Sequence, residues 1–309
     1  MYFYKCSWII FVCCIFFACT DNMQERVQYT LYHAGENSDE LKKVLDHYQN
    51  QPEKLRAACF LVANMLTHRT YVGKEIDSLK QMKKESIQKG RISDEIVAHW
   101  KSFDYSSLQI VKDVDVMKAD ILIENIDLAF EAWEKRSWSK QYSFEDFCEY
   151  VLPYRIGDEP LEKWRRIYYE RYSPVLDSLY QGNDVVEAAR VMANYLKEEG
   201  FTNHTDFNLP HLGALFLLEN RVGYCRDNCD IATYVMRSLG IPITMDFYEM
   251  SPSYNSRHFW SALIDTTGLV VPFNYIEREI VRRPQEERKK GKVYRTCYGI
   301  QPEKYSGLY

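Results

Sequence analysis

Cys225, His258 and Asn274 have the types and order that suit a thiol reaction. Cys225 lies in "NRVGYCRDNCDIATYVMRSLGIP", behind a Gly-Tyr pair and ahead of a helical pattern closed by Gly240-Ile241-Pro242. Cys229, Ala232, Val235, Met236 and Leu239 recur at helical spacing and form the inward stripe. A cysteine in the first turn of a helix meets unpaired amide N–H groups and the positive end of the helix dipole. Both favour thiolate over thiol, and the same N–H groups can hold a developing oxyanion. Cys229, one turn further in, is assigned to packing.

A thiol nucleophile needs an imidazole to take and return protons, and the imidazole needs an orienting partner. "SRHFWSALIDTTGLVVPFN" offers both in one hairpin, with His258 33 residues after Cys225 and Asn274 a further 16 on. A tip at Asp265–Thr267 centres the hairpin on residue 266 and sets His258 directly opposite Asn274, with Cβ atoms ~4.5–5.5 Å apart. A tip extended to Gly268 would break that register. Trp260 is expected to fill the core.

Other chemistries fit less well. Cys225 as a plain half-buried helix-start residue leaves His258 and Asn274 unexplained. A metal clip from Cys225 and Cys229 with His204, Asp206 or His211 lacks a second Cys pair or a His-x3-His spacing. No Gly-x-x-x-x-Gly-Lys, Gly-x-Ser-x-Gly or His-Glu-x-x-His occurs, so phosphate loops, serine hydrolases and zincins have no support. Neither a metal nor a cofactor is expected.

The elements that position these residues follow from periodicity. Asn37-Ser38-Asp39-Glu40 reads as a capping box ahead of Leu41, Val44, Leu45 and Tyr48. Pro52 opens a helix whose stripe is Leu55, Ala58, Cys59, Val62, Met65 and Leu66. "IDSLKQMKKESIQKGRISDE" reads as a solvated helix and loop. Ile123, Ile126, Phe130 and Trp133 mark a further helix. Ser143 caps another with Asp146, in which Cys148 points inward. Helices are expected around Leu161–Tyr172 and over Val185–Glu199, the latter closed by Gly200, and Pro210 opens a short apolar one. Strands come only after Ile241, in "IPITMDFYEM", "RHFWSALID" and "GLVVPFN". Helices followed by antiparallel strands predict an α+β fold. The basic stretch "RRPQEERKKGKVYR" reads as a solvated connector, and Cys297 has no evident partner in sequence.

The chain has 309 residues, 46% hydrophobic and 15% aromatic, with a formal net charge of −5. That charge gives no footprint for nucleic acid. Lys5 and the apolar run Trp8–Ala18 are too short to span a bilayer and fit a secretory signal. "FFAC" resembles a bacterial lipobox, which makes Cys19 the acylated mature N-terminus and the membrane a partner through its lipid. Thr20 follows it in place of the Asp of inner-membrane retention, so an outer-membrane lipoprotein, on its periplasmic side or at the cell surface, is expected. The mature body keeps Cys59, Cys148, Cys225, Cys229 and Cys297, an odd number that leaves at least one thiol free or bonded to another molecule.

The motifs together resemble the transglutaminase-like superfamily, which shares the papain-type fold. Its pattern is Gly-x-Cys at a helix start, Leu-Gly-Ile-Pro at the helix end, His-x-Trp on a strand and an acidic residue on the next strand. This chain has Gly223-Tyr224-Cys225, Leu239-Gly240-Ile241-Pro242 and His258-Phe259-Trp260, with Asn274 where the family usually has Asp. The similarity covers roughly residues 205–280. More loosely, the whole chain resembles exported bacterial lipoproteins with a helical region before such a core. The expected organisation is a signal peptide over 1–18, a tether over 19–36, a helical region over 37–200, the core over 201–280 and a C-terminal extension over 281–309. The resemblance implies a thiol-dependent amide hydrolase or acyl transferase with a Cys225–His258–Asn274 triad, acting on peptide or glycopeptide. The alternative is an inactive lipoprotein that binds peptide or glycan in the same cleft.

Overall fold

The computed structural model describes residues 21–88, 108–203, 210–250, 257–282 and 291–301, and five single positions between 89 and 107. Residues 1–20, with Cys19 and the signal segment, lie outside the described residues. Among the described residues, no helix is long and apolar enough to cross a membrane.

Helices fill most of the first two thirds of the chain, as the periodicity predicts, but two short strand pairs precede Ile241, where no strand was expected. The helices are α1 Asp21–His33, α2 Ser38–His47 and α3 Pro52–Asn64, then α4 Lys74–Gln88, α5 Asp113–Val116 and α6 Ala119–Glu134, and then α7 Phe144–Tyr150, α8 Trp164–Leu179 and α9 Val185–Glu199. The short α10 Ala214–Asn220 precedes α11 Cys225–Ser238. Strands β1 Arg69–Val72 and β2 Gln109–Lys112 form an antiparallel hairpin on either side of α4. Strands β3 Thr202–Asn203 and β4 Val222–Gly223 pair in parallel just before α11. The main sheet contains β5 Ile243–Tyr248, β6 His258–Ile264, β7 Val270–Phe273 and β8 Tyr294–Arg295 in the order β7-β6-β5-β8, every pair antiparallel. The result is α+β.

Two apolar cores divide the molecule. The first joins α1, α2, α3, α6 and α7 around Leu41, Leu61, Val62, Ile126 and Phe147, and holds Cys59 and Cys148 as packing residues. Pro52 stands in the first turn of α3, and Ser143 caps α7 through a reciprocal box with Asp146. The second core packs α8, α9 and α11 against the sheet face that carries Phe259, Leu263, Val271 and Phe273.

Several expectations are corrected. Residues 21–33 of the expected tether are a helix, held down by buried Val27 and Leu31. Asn37 does not cap α2; it is buried, and its Nδ2 donates to the carbonyls of Val114 (3.1 Å) and Met117 (2.9 Å). The helix expected near residue 161 starts at Trp164 and runs past Pro174 to Leu179. Pro210 does not open α10, because His211 is drawn aside by two carboxylates: its N–H donates to Asp158 and its ring contacts Asp230. Part of the C-terminal extension belongs to the body. Arg295 adds β8 to the sheet edge through a bidentate bond to Asp246 (2.8 and 2.9 Å), and buried Tyr298 donates its hydroxyl to Leu61 O (3.0 Å) in the first core. Residues 283–290 of the basic stretch lie outside the described residues.

Candidate active site

The approach to Cys225 is built from backbone that few residues could adopt. Arg221 ends α10 at φ 46°, a left-handed conformation uncommon for a side-chain-bearing residue. Its guanidinium is pinned by Glu199 Oε2 (2.6 Å) and the Tyr172 hydroxyl (2.7 Å), which offset that cost. Gly223 has a different reason. A Cβ there would lie 2.3 Å from both Cβ and Oδ2 of Asp227. Only glycine lets Asp227, in the first turn of α11, fold back and accept the Tyr224 N–H at 3.0 Å.

Cys225 opens α11, as expected, and is half-buried. The backbone N–H groups of Phe259, the residue after His258, and of Arg226 act on its thiol. Burial pushes the Cys225 thiol above its ordinary value, Asp227 and Glu277 add to the rise, and the two N–H groups pull it back by less. Cys229 faces the core with no exposure, and burial raises its thiol further, against a small pull down from Ser261.

His258 begins β6 opposite Tyr248. Strand alternation puts Phe259 and Ser261 on the α11 side, and His258 and Trp260 on the other. The imidazole lies 6.0 Å from the Trp260 ring and 5.9 Å from that of Tyr248, and Trp260 is buried.

The hairpin register differs from the expected one. The tip is Thr266–Gly268, with Gly268 at φ +78° and Asp265 N–H donating to Leu269 O at 2.8 Å. This three-residue loop with a left-handed third position centres the hairpin on residue 267, so Ser261 pairs with Phe273. Moving the centre by one residue moves each partner by two, which keeps every side chain on its face. Asn274, one step past β7, is then due opposite Trp260 and on a diagonal from His258, a separation of about 7–8 Å. The chain turns there instead of continuing the ladder. Asn274 Oδ1 accepts the N–H groups of Ile276 (3.0 Å) and Glu277 (3.3 Å), and its carbonyl accepts Arg278 N–H at 2.7 Å. Cys225 thus opens α11 and His258 opens β6. Asn274 is on the same face as His258, with its oxygen engaged in its own turn.

Groups that the sequence reading passed over surround α11. Lys83, within the stretch read as solvated, is buried with Nζ 3.6 Å from Asp227 Oδ2. His211 Nδ1 lies 2.7 Å from the fully buried Asp230. Burial and Arg226 pull His211 down, but Asp230 and Asp158 outweigh them and leave it raised. Burial likewise raises the Asp230 carboxyl against the pull of His211. An acidic residue in the first turn after Gly-Tyr-Cys was a visible signal for Asp227; nothing in the pattern marks Lys83 or pairs His211 with Asp230. The metal clip is not assembled, since Cys229 points into the core and His211 is held by Asp230. His204 and Asp206 lie outside the described residues, and no cluster of three or more His, Cys, Asp or Glu suited to a metal occurs among the described ones.

No family model matches the chain, and no curated protein matches it. Two solved structures resemble part of it. One is a putative cysteine protease from Cytophaga hutchinsonii, 12% identical, covering 46% of this chain and 52% of that one, with a TM-score of 0.29. The other is the periplasmic domain of TgpA from Pseudomonas aeruginosa bound to ethylmercury, 15% identical, covering 46% of this chain and 49% of that one, also with a TM-score of 0.29. The chain thus spans about half the length of each, and a likeness of this size carries no argument about activity.

Proposed function

We propose that the chain is a thiol-dependent amide hydrolase or acyl transferase of the transglutaminase-like type, working outside the cytoplasm on peptide or glycopeptide. The observation that supports this reading is Cys225 at a helix start, with the backbone N–H of Phe259, the residue after His258, acting on its thiol. His258 takes the thiol proton as sulfur attacks an amide carbonyl, and returns it to the departing amine. The helix-start N–H groups stabilise the oxyanion, and water or a second amine releases the acyl group from the thioester. Asn274 Oδ1, which also closes its own turn, would accept the second ring N–H of His258 and so hold the tautomer whose other nitrogen is free to take the thiol proton. Lipid on Cys19 would hold the enzyme at the outer membrane, and Cys19→Ala should release it from the membrane fraction.

A second reading is a binding protein that uses the same cleft without turnover. The raised Cys225 thiol and the engaged Asn274 oxygen favour it. Mass spectrometry of a peptide and glycopeptide library incubated with the chain separates the two. The enzyme reading expects cleaved or transferred products that vanish in Cys225→Ala. It also expects them to persist in Asn274→Asp, which keeps the turn's acceptor, and to fall at least about tenfold in Asn274→Ala. Ligand retention with no product from the wild type selects the binding protein.

A further inference from the structure

Helix α4 leaves the first core and lies against the second through Leu79. Its stalk is the β1–β2 hairpin, in which Arg69 pairs with Lys112 and Val72 with Gln109. A buried arginine fixes its base. Arg155 donates from Nε and Nη2 to the Asp113 carboxylate, each at 2.6 Å, and from Nη2 to Thr70 Oγ1 at 2.9 Å. From this stalk α4 reaches the second core, where Leu79 belongs to the same cluster as Tyr224, Cys229 and Phe259. One turn on, Lys83 enters with its side chain 1% exposed, to meet an Asp227 side chain that is also 1% exposed. Lysine is rarely fully buried without a carboxylate, and this one meets the acid that folds back over Gly223.

We propose that α4 is a strap across the start of α11, and that Lys83 is a positioning residue for the Cys225 thiol. It holds Asp227 in its fold-back and neutralises a carboxylate whose charge bears on the sulfur. The proposal deepens the reading of Cys225 as nucleophile, but its test needs no turnover. Cys225 is faced by Tyr224, Arg226, Asp227 and Cys229 from its own segment, by Glu277 from the turn after β7, and by the Phe259 backbone from β6. Lys83 is faced by Asp227 and Arg226. Without the ammonium, the Asp227 charge acts on the sulfur less opposed and disfavours thiolate.

The measurement is the rate of iodoacetamide alkylation of the full chain from pH 6 to 10, read at Cys225 by peptide mass spectrometry. Lys83→Met should move the profile up by about one pH unit, so that alkylation near neutral pH slows about tenfold. Lys83→Arg should stay near wild type. Lys83→Met combined with Asp227→Asn removes both charges and should return the profile to that of wild type. If Lys83→Met does not fold, the double variant and Lys83→Arg carry the test alone. A Lys83→Met profile that superimposes on wild type overturns the proposal, as does a double variant displaced as far as the single one. The expected shifts without any amide product would leave the strap standing and remove the enzyme reading instead.

Discussion

Helix α3 runs 13 residues and α11 runs 14, and both are buried along most of their length. What they bury differs. In α3 the buried side chains are Ala57, Ala58, Cys59, Leu61, Val62 and Ala63, with Asn64 at the end bonded to Phe60 O and to the Ile300 N–H. In α11 they include Arg226, Asp227, Asn228, Asp230 and Arg237 beside Ile231, Val235 and Met236. The first helix is held mainly by transfer of apolar surface, with no buried charge of its own. The second needs a partner for each charge, and finds Lys83 for Asp227, His211 for Asp230 and the Arg155 carbonyl for Arg237. A buried ion pair is seldom more stabilising than apolar side chains of equal volume. Charges kept around a half-buried thiol therefore point to what that helix does, while α3 speaks only of stability.

The contrast can be broken at its strongest point. Asp227→Ala removes the acceptor for Tyr224 N–H and deprives Lys83 and Arg226 of a buried carboxylate, and should cost about 3–5 kcal/mol. Urea unfolding at pH 7 reads this; a loss below about 1 kcal/mol would mean that the charges around α11 are incidental. In α3, Leu61→Ala should cost about 2–4 kcal/mol, the same at pH 6 as at pH 9, because no titrating group enters its packing. A clear pH dependence of that loss would show the two cores to be coupled.

The smallest effect sharpens the comparison most. His211 is raised by Asp230 and Asp158, so its contribution is fully present below its unfolded value near 6.5 and fades as pH rises through the folded value. His211→Gln should therefore lose stability at pH 6 and approach wild type toward pH 9. Denaturant midpoints for both proteins across that range check the sign. A gap that widens with pH would place the proton elsewhere.

The helical layer was largely legible because its helices obey one rule, an apolar stripe at a period of 3.6 with caps at the ends. Ser143, Pro52 and Gly200 announced their helices by local chemistry. So did Gly240, whose φ of +71° and approach to Ala132 O leave no room for a Cβ. Cys225 and His258 were legible for the same reason, one at a helix start and one at a strand start. The Asn274 register was not, since the choice between tips ending at Thr267 and at Gly268 is made by the left-handed backbone at Gly268. Lys83 and His211 were beyond reach because their partners lie 144 and 19 residues away, with no local pattern to link them. Lys83 in addition sits among charges that look solvated.

Tyr298 ties the last described residues to some of the first. Its hydroxyl meets Leu61 O across 237 residues, and its ring stacks on His68 at 4.3 Å. The first core is thus composed of segments that leave the ribosome far apart in time. Helices α1 to α3 can form early, but the pocket that receives Tyr298 stays open until residue 298 has been made. Contacts so distant in sequence are late and slow to close. Until then the apolar surface around Leu61 is exposed to other chains, so the interval between synthesis and closure is when aggregation or proteolysis is most dangerous to this protein.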